Sequence, residues 1–146
     1  MKTLPLEEQL CFAVYSASNA IIRLYRPLLQ PFDLTYPQYI VMLALWQQDS
    51  ISLGELGTKT AFDSGTLTPL VKKLEQKHRL QRIPSSKDER VKIVILTEEG
   101  KKLQQQVADV MIRFRCQLSL SDGELIQLRA LTQQIYKEVL TLENRS

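Results

Sequence analysis

Histidine is almost absent from this chain: His78 is the only one in 146 residues. A Ser-His-Asp or Cys-His catalytic site needs a positioned imidazole, and a lone His beside Arg79 in a basic stretch reads better as an exposed helix-end residue. Cysteine is nearly as scarce, with only Cys11 and Cys116. Neither has a second Cys or His at metal-ligand spacing, so no zinc site is expected. No metal or cofactor is expected at all, since the chain also lacks a Gly-rich phosphate loop. No apolar run approaches the roughly 18 residues of a membrane span, and Met1-Lys2-Thr3-Leu4-Pro5 carries no apolar signal core. The expectation is a cytoplasmic protein with no membrane partner. Internal repeats and low-complexity linkers are missing too.

What is present is an ordinary globular balance, 44% hydrophobic and 24% charged, at the size of a single domain over residues 1–146. The net charge of +3 is unevenly spread. Between Lys72 and Lys92 stand eight basic residues (Lys72, Lys73, Lys77, Arg79, Arg82, Lys87, Arg90, Lys92) against Glu75, Asp88 and Glu89, a local +5 in a chain that is otherwise net −2. A basic block of this kind is the footprint of a nucleic-acid surface, although a solvated face has the same composition.

The hydrophobic spacing is mostly helical. Leu6, Leu10, Phe12, Ala13, Ala17, Ala20, Ile21, Leu24 and Leu28 give one broad apolar face, so the first helix is predicted from just after Pro5 to about residue 30, perturbed by Pro27 and stopped by Pro31. Thr35-Tyr36-Pro37-Gln38 and Ser52-Leu53-Gly54-Glu55 are capping boxes that open a second and a third helix. Asp63 or Ser64 caps a fourth, through Leu67, Leu70, Val71 and Leu74, with Pro69 as a local conflict. Two short helices joined by a tight turn suggest a helix-turn-helix. The period then changes: Leu80–Ile83 and Lys92–Leu96 read as strands around the polar turn Pro84–Arg90. Thr97 caps one long helix through Leu103, Val107, Val110, Met111 and Phe114, and Ser121-Asp122-Gly123-Glu124 opens a last helix through Leu142. The fold class is therefore mainly α with a small β-hairpin. It is a winged helix-turn-helix (about 35–100) flanked by N- and C-terminal helices (about 1–34 and 101–146), whose uncovered apolar faces suit dimerisation. A two-fold dimer would set two recognition helices about one DNA turn apart on a pseudo-palindrome.

Asp88-Glu89-Arg90 followed by Leu96-Thr97-Glu98-Glu99-Gly100 resembles the wing signature of the MarR family, D-x-R then L-T-x-x-G. Leu10–Tyr15, Leu34–Tyr39 and Asp63–Leu70 resemble its organic-hydroperoxide-sensing branch, the OhrR-type repressors of the two-cysteine class. The resemblance implies a non-enzymatic repressor of double-stranded operator DNA. Arg90 would enter the minor groove, braced by Asp88. Ser64, Thr66, Thr68 and Lys72 would meet the major groove, and Lys73, Arg82 and Lys87 would complete the basic surface. It further implies that Cys11 is the peroxide-reactive thiol, bonded by the hydroxyls of Tyr25 and Tyr36, and that Cys116 is the resolving thiol from the partner subunit. Tyr15 is a further candidate donor. The pattern usually has Gly after the recognition helix, where Gln76-Lys77-His78-Arg79 stands here, so either His78 takes a left-handed cap at some cost or the helix end closes differently.

On residue chemistry alone, Cys11 sits about two turns past Pro5, where a helix dipole helps a thiolate little, so donors from elsewhere would be needed. Two other functions fit the same residues. One is a MarR-type regulator released by a small phenolic or lipophilic ligand. The other is a thiol peroxidase using Cys11 and Cys116, for which the basic hairpin has no purpose.

Overall fold

The computed structural model describes residues 3–146, which fall into two compact units, one ending at Phe114 and the other running from Arg115 to Ser146. Helix α1 spans Leu10–Leu29 and is preceded by a separate 3-10 turn, Leu6–Glu8. Gln9 between them is extended (φ −83°, ψ 122°), so the N-terminal helix predicted from Pro5 onward begins five residues later. After a second 3-10 turn (Gln30–Phe32), α2 spans Tyr36–Gln47, β1 Ile51–Ser52, α3 Leu53–Thr60 and α4 Ser64–Gln76. The hairpin strands are β2 (Leu80–Pro84) and β3 (Lys92–Leu96), followed by α5 (Glu98–Gln106) and α6 (Val110–Arg115). In the second unit α7 covers Asp122–Glu143.

Most helix starts follow from local side chains. The Thr35–Gln38, Ser52–Glu55 and Ser121–Glu124 capping boxes all form, and Asp63 and Thr97 cap α4 and α5. The predicted long helix after Thr97 is instead broken at residues 107–109 into α5 and α6. Its apolar spacing runs on through the break, with Leu103, Val107 and Val110 all buried, so periodicity gave no sign of it.

The sheet has order β1-β3-β2 and is antiparallel throughout, with Leu80 opposite Leu96 and Ile51 opposite Val94. Its inner face joins Leu56, Leu67, Val71, Leu74, Leu45 and Met42 in one core. At the exit of α4 the chain turns in a Schellman arrangement: Arg79 N–H donates to Leu74 C=O (2.9 Å) and His78 N–H to Glu75 C=O (2.9 Å). His78 is left-handed, at φ 57°, as the missing glycine requires. Thr97 Oγ1 donates to His78 C=O (2.6 Å) and Thr97 N–H to Arg79 C=O (3.2 Å), fixing the end of β3 to that turn. Gly100 packs so closely against the Arg79 carbonyl that no Cβ fits there. Thus Thr and Gly of the L-T-x-x-G segment are geometric requirements of one corner, where the α4 exit, β2, β3 and α5 meet.

In the second unit, Arg115 donates to Asp122 Oδ1 (Nη2, 2.8 Å) and to the carbonyls of Leu118 and Leu120, holding the turn into α7. No residue of α7 is buried; Leu128, Leu131, Ile135, Val139 and Leu142 form an exposed stripe at helical spacing. Among the described residues no helix is long and apolar enough to cross a membrane.

Candidate nucleic-acid interface and thiol position

Helix α4 buries Leu67, Val71 and Leu74, and that spacing turns the opposite face outward. Ser64, Thr66, Lys72 and Lys73 are exposed and Thr68 is half-buried. Thr66 is partly occupied: its N–H donates to Asp63 Oδ1 (2.8 Å) and its hydroxyl to Asp63 Oδ2 (3.3 Å). The centre of the exposed face also holds Gly65, Pro69 and Gln76, which the candidate set omitted although the same helical arithmetic would have found them. Pro69 faces solvent, where the Gly65 carbonyl that it leaves without a helical donor can be hydrated.

The hairpin tip is organised by its own side chains. Ser85 N–H donates to Val91 C=O (2.8 Å) and Val91 N–H to Asp88 C=O (3.0 Å). Asp88 Oδ1 accepts from Arg90 N–H (3.0 Å) and Nε (3.2 Å), while the Arg90 side chain is 91% exposed. The Arg90 bonds hold the Asp88 carboxyl below its ordinary range. Arg90 is thereby presented to solvent with its direction set by Asp88. Lys87 is exposed beside it. Arg82 differs. Its guanidinium donates to Glu75 Oε2 (Nη2 2.8 Å, Nε 3.2 Å) and its backbone N–H to Glu75 Oε1 (2.9 Å), so it ties the wing to α4. These bonds lower the Glu75 pKa. Lys77 is likewise engaged, with Nζ donating to Asp33 C=O (2.7 Å) and Gln38 Oε1 (3.2 Å) and paired with Asp33 Oδ1 (3.1 Å).

Cys11 is a free, exposed thiol and the second residue of α1. The expectation that it lies two turns into a helix is therefore corrected: the extended Gln9 places it in the first turn, at the positive end of the dipole. That end has no side-chain cap; the Gln9 side chain turns away from the helix, with Nε2 donating to Leu4 C=O (3.1 Å). Cys116, in the other unit, is also free and exposed.

The tyrosines expected to bond Cys11 form a cluster of their own. Tyr25 stacks on Phe114 (centroids 4.4 Å) and packs against Tyr36 (4.7 Å) and Tyr39 (6.0 Å). Its hydroxyl donates to Met111 Sδ at 3.5 Å, not to Cys11. Burial, then Tyr36 and Tyr39, push the Tyr25 hydroxyl well above its ordinary pKa, and burial also raises Tyr36 and Tyr39, so all three keep their protons as donors. Fourteen residues separate Cys11 and Tyr25 on one helix, about 21 Å along its axis, so no hydroxyl–thiol bond forms between them within a chain. Tyr15, one turn after Cys11, is on the same face and largely exposed. Sequence reasoning missed Met111 as the Tyr25 partner, since a contact 86 residues away leaves no local trace.

Comparison with known proteins agrees with this architecture. The profile of the transcriptional regulator SarA/Rot family matches residues 23–107. The organic hydroperoxide resistance transcriptional regulator of Bacillus subtilis is 36% identical over 141 residues, covering 97% of this chain and 94% of its own. The HTH-type transcriptional regulator TtmR of Methylorubrum extorquens is 48% identical over 98 residues, 67% of this chain but half of its own length. A solved structure of reduced AbfR bound to DNA superposes with a TM-score of 0.81 at 30% identity, covering 94% of each chain; AbfR is from Staphylococcus epidermidis. The chain belongs to the SarA/Rot family of transcriptional regulators, DNA-binding proteins of the MarR-type winged-helix fold.

Proposed function

We propose that this regulator is a repressor that binds a pseudo-palindromic operator as a homodimer and is released when an organic hydroperoxide oxidises Cys11. The observation that carries this reading is the placement of Cys11: a free, exposed thiol in the first turn of α1, open to a hydroperoxide from solvent. The thiolate attacks the hydroperoxide, the O–O bond breaks, and a sulfenic acid and an alcohol result. Cys116 of the partner subunit then displaces water from the sulfenic acid to close an intersubunit disulfide. The uncovered stripe on α7 and the exposed Leu4, Leu6, Leu10, Phe12 and Val14 supply apolar surface for the dimer. A dimer also answers the 21 Å separation along α1, because Tyr25 and Tyr36 can then reach Cys11 of the partner subunit.

On this reading Arg90 enters the minor groove, and Ser64, Thr66, Thr68, Lys72, Lys73 and Lys87 face the major groove or phosphates. Arg82 acts by bracing the wing through Glu75. The Bacillus relative is a regulator of organic hydroperoxide resistance, and AbfR has been solved reduced on DNA and in a disulfide form. Both lend support to a thiol switch here.

A second reading has its own observation. A groove of about 540 Å3 lies beside α1 and the start of α2, lined by Ile22, Arg26, Leu34, Tyr36 and Lys77 among others, and it would suit a small phenolic or lipophilic effector. The test is a binding titration on a duplex selected by the reduced protein from a random library, before and after one equivalent of cumene hydroperoxide, with non-reducing gels. Loss of binding with a reducible linked dimer, absent in Cys116→Ser, supports the two-cysteine switch. Retained binding refutes it and leaves the effector reading. Catalytic turnover with a dithiol reductant, in place of stoichiometric consumption, would point to a peroxidase.

A further inference from the structure

Asp63 holds Thr66 with both of its carboxylate oxygens. Oδ1 accepts the Thr66 N–H at 2.8 Å and so caps α4, while Oδ2 accepts the Thr66 hydroxyl at 3.3 Å. A hydroxyl has one proton to give and lone pairs to receive with. Since that proton goes to Asp63, Thr66 Oγ1 offers only lone pairs outward, and the carboxylate beside it offers nothing else. Both residues are exposed at the start of α4. That start is therefore an acceptor-only surface, on a helix whose other exposed polar groups include the donors Lys72 and Lys73.

We propose that Asp63 and Thr66 together read an exocyclic amino group in the major groove, the N4 of a cytosine or the N6 of an adenine. Asp63 is then a specificity residue as well as a cap. This rests on the reading above that Thr66 meets the major groove. There, cytosine and adenine present an amino donor, whereas guanine presents N7 and O6 and thymine presents O4, all of them acceptors. An amino N–H closes a bond with Thr66 Oγ1. A guanine or thymine oxygen in the same place meets lone pairs and a negative charge, with no proton between them. Turning the hydroxyl outward to donate breaks its bond to the carboxylate, and an ionised acceptor makes that the costlier choice. The pair thus admits cytosine and adenine and rejects guanine and thymine. Cytosine fits better, because adenine carries the acceptor N7 beside its amino group.

The experiment selects duplexes from a random library with the full chain, as the parent and as Thr66→Val and Asp63→Asn, and sequences each pool. Circular dichroism confirms the fold, and Asn caps a helix as well as Asp does. The Asn carbonyl must take the Oδ1 place to accept the Thr66 N–H. Its amide then donates to Thr66 Oγ1, which turns the hydroxyl proton outward. The parent is expected to hold cytosine or adenine at one position of each half-site, by about tenfold over guanine or thymine. Thr66→Val should level that position alone, and Asp63→Asn should move it toward guanine or thymine. The proposal is overturned if the position levelled by Thr66→Val held guanine or thymine in the parent, or if Asp63→Asn leaves its preference for an amino base unchanged. Pools unchanged in both variants, while Ser64→Ala or Thr68→Val alters some other position, also overturn it but leave α4 in the major groove. A parent pool with no preferred sequence defeats the major-groove reading itself, and the proposal with it.

Discussion

Gly100→Ala should be among the most damaging single-atom additions to this protein, and the reason is steric rather than conformational. Gly100 lies in the first turns of α5 with its backbone against the exit of α4. A Cβ there would overlap the Arg79 carbonyl oxygen outright, lie 3.0 Å from the carbonyl carbon and 3.3 Å from Leu96 Cδ2. None of these is a flexible side-chain end except the last, so relief requires the start of α5 to retreat from the corner. Such overpacking costs about 1–3 kcal/mol. The retreat also strains two bonds made at the same corner, Thr97 Oγ1 to His78 C=O and Trp46 Nε1 to Gly100 C=O (2.9 Å), each worth about 1 kcal/mol. The expected loss is about 3–5 kcal/mol, read as the shift of the urea midpoint by circular dichroism with an unchanged slope. Since the corner aims both α4 and the wing, operator affinity of the folded fraction should fall as well. A loss under about 1 kcal/mol with normal DNA binding would refute the claim that this glycine is required by space.

The remaining predictions concern single side chains. His78→Gly should stabilise the fold by about 1 kcal/mol, because the left-handed cap at φ 57° costs a side chain that much; a lower thermal midpoint would contradict the cap geometry. Arg90→Ala should weaken operator binding at least about tenfold with unchanged stability, and Lys72→Ala and Lys73→Ala should each lower the salt slope of binding by about one if they meet phosphate. Glu75, whose folded pKa is depressed by Arg82, contributes stability that is fully present above its unfolded value and lost as pH falls through the folded one. Glu75→Gln should therefore cost up to about 1 kcal/mol at pH 7, the pair being partly exposed, and progressively less as pH is lowered through the folded pKa. A penalty that does not change with pH would assign the effect to packing instead of charge.

Local chemistry was legible in the sequence and distant chemistry was not. Thr35–Gln38, Ser52–Glu55 and Ser121–Glu124 act over three residues, so a capping box in the sequence became a capping box in the fold. The hairpin boundaries were legible for a similar reason, since the β-branched run Val91–Ile95 contrasts with the helices around it. The two-residue strand β1 was invisible because its existence depends on Val94 and Ile93, more than forty residues away. The bonds of Arg82 to Glu75 were likewise invisible, because composition cannot reveal which carboxylate faces a cation. The break between α5 and α6 hid behind uninterrupted apolar spacing. The start of α1 was misplaced because Pro5 and two acidic residues do suit a helix start, but the helix they start is only the 3-10 turn Leu6–Glu8.

That last difference changes the chemistry assigned to Cys11. A thiol two turns inside a helix is away from the free N–H groups of the first turn, whereas Cys11, the second residue of α1, lies among them. Tyr36, three residues after Asp33, opens α2, and Asp33 and Gln38 both accept from Lys77 at the exit of α4. From Lys77 the corner of His78, Thr97 and Gly100 continues to both β2 and β3. Helix α4 and the hairpin are thus joined at one corner, and that corner is joined to the tyrosines twice, through Lys77 and through Trp46, which donates to Gly100 C=O and packs against Tyr39. A shift of Tyr36 or Tyr39 therefore has two routes to α4 and the hairpin, so Lys77→Ala alone leaves the Trp46 route in place.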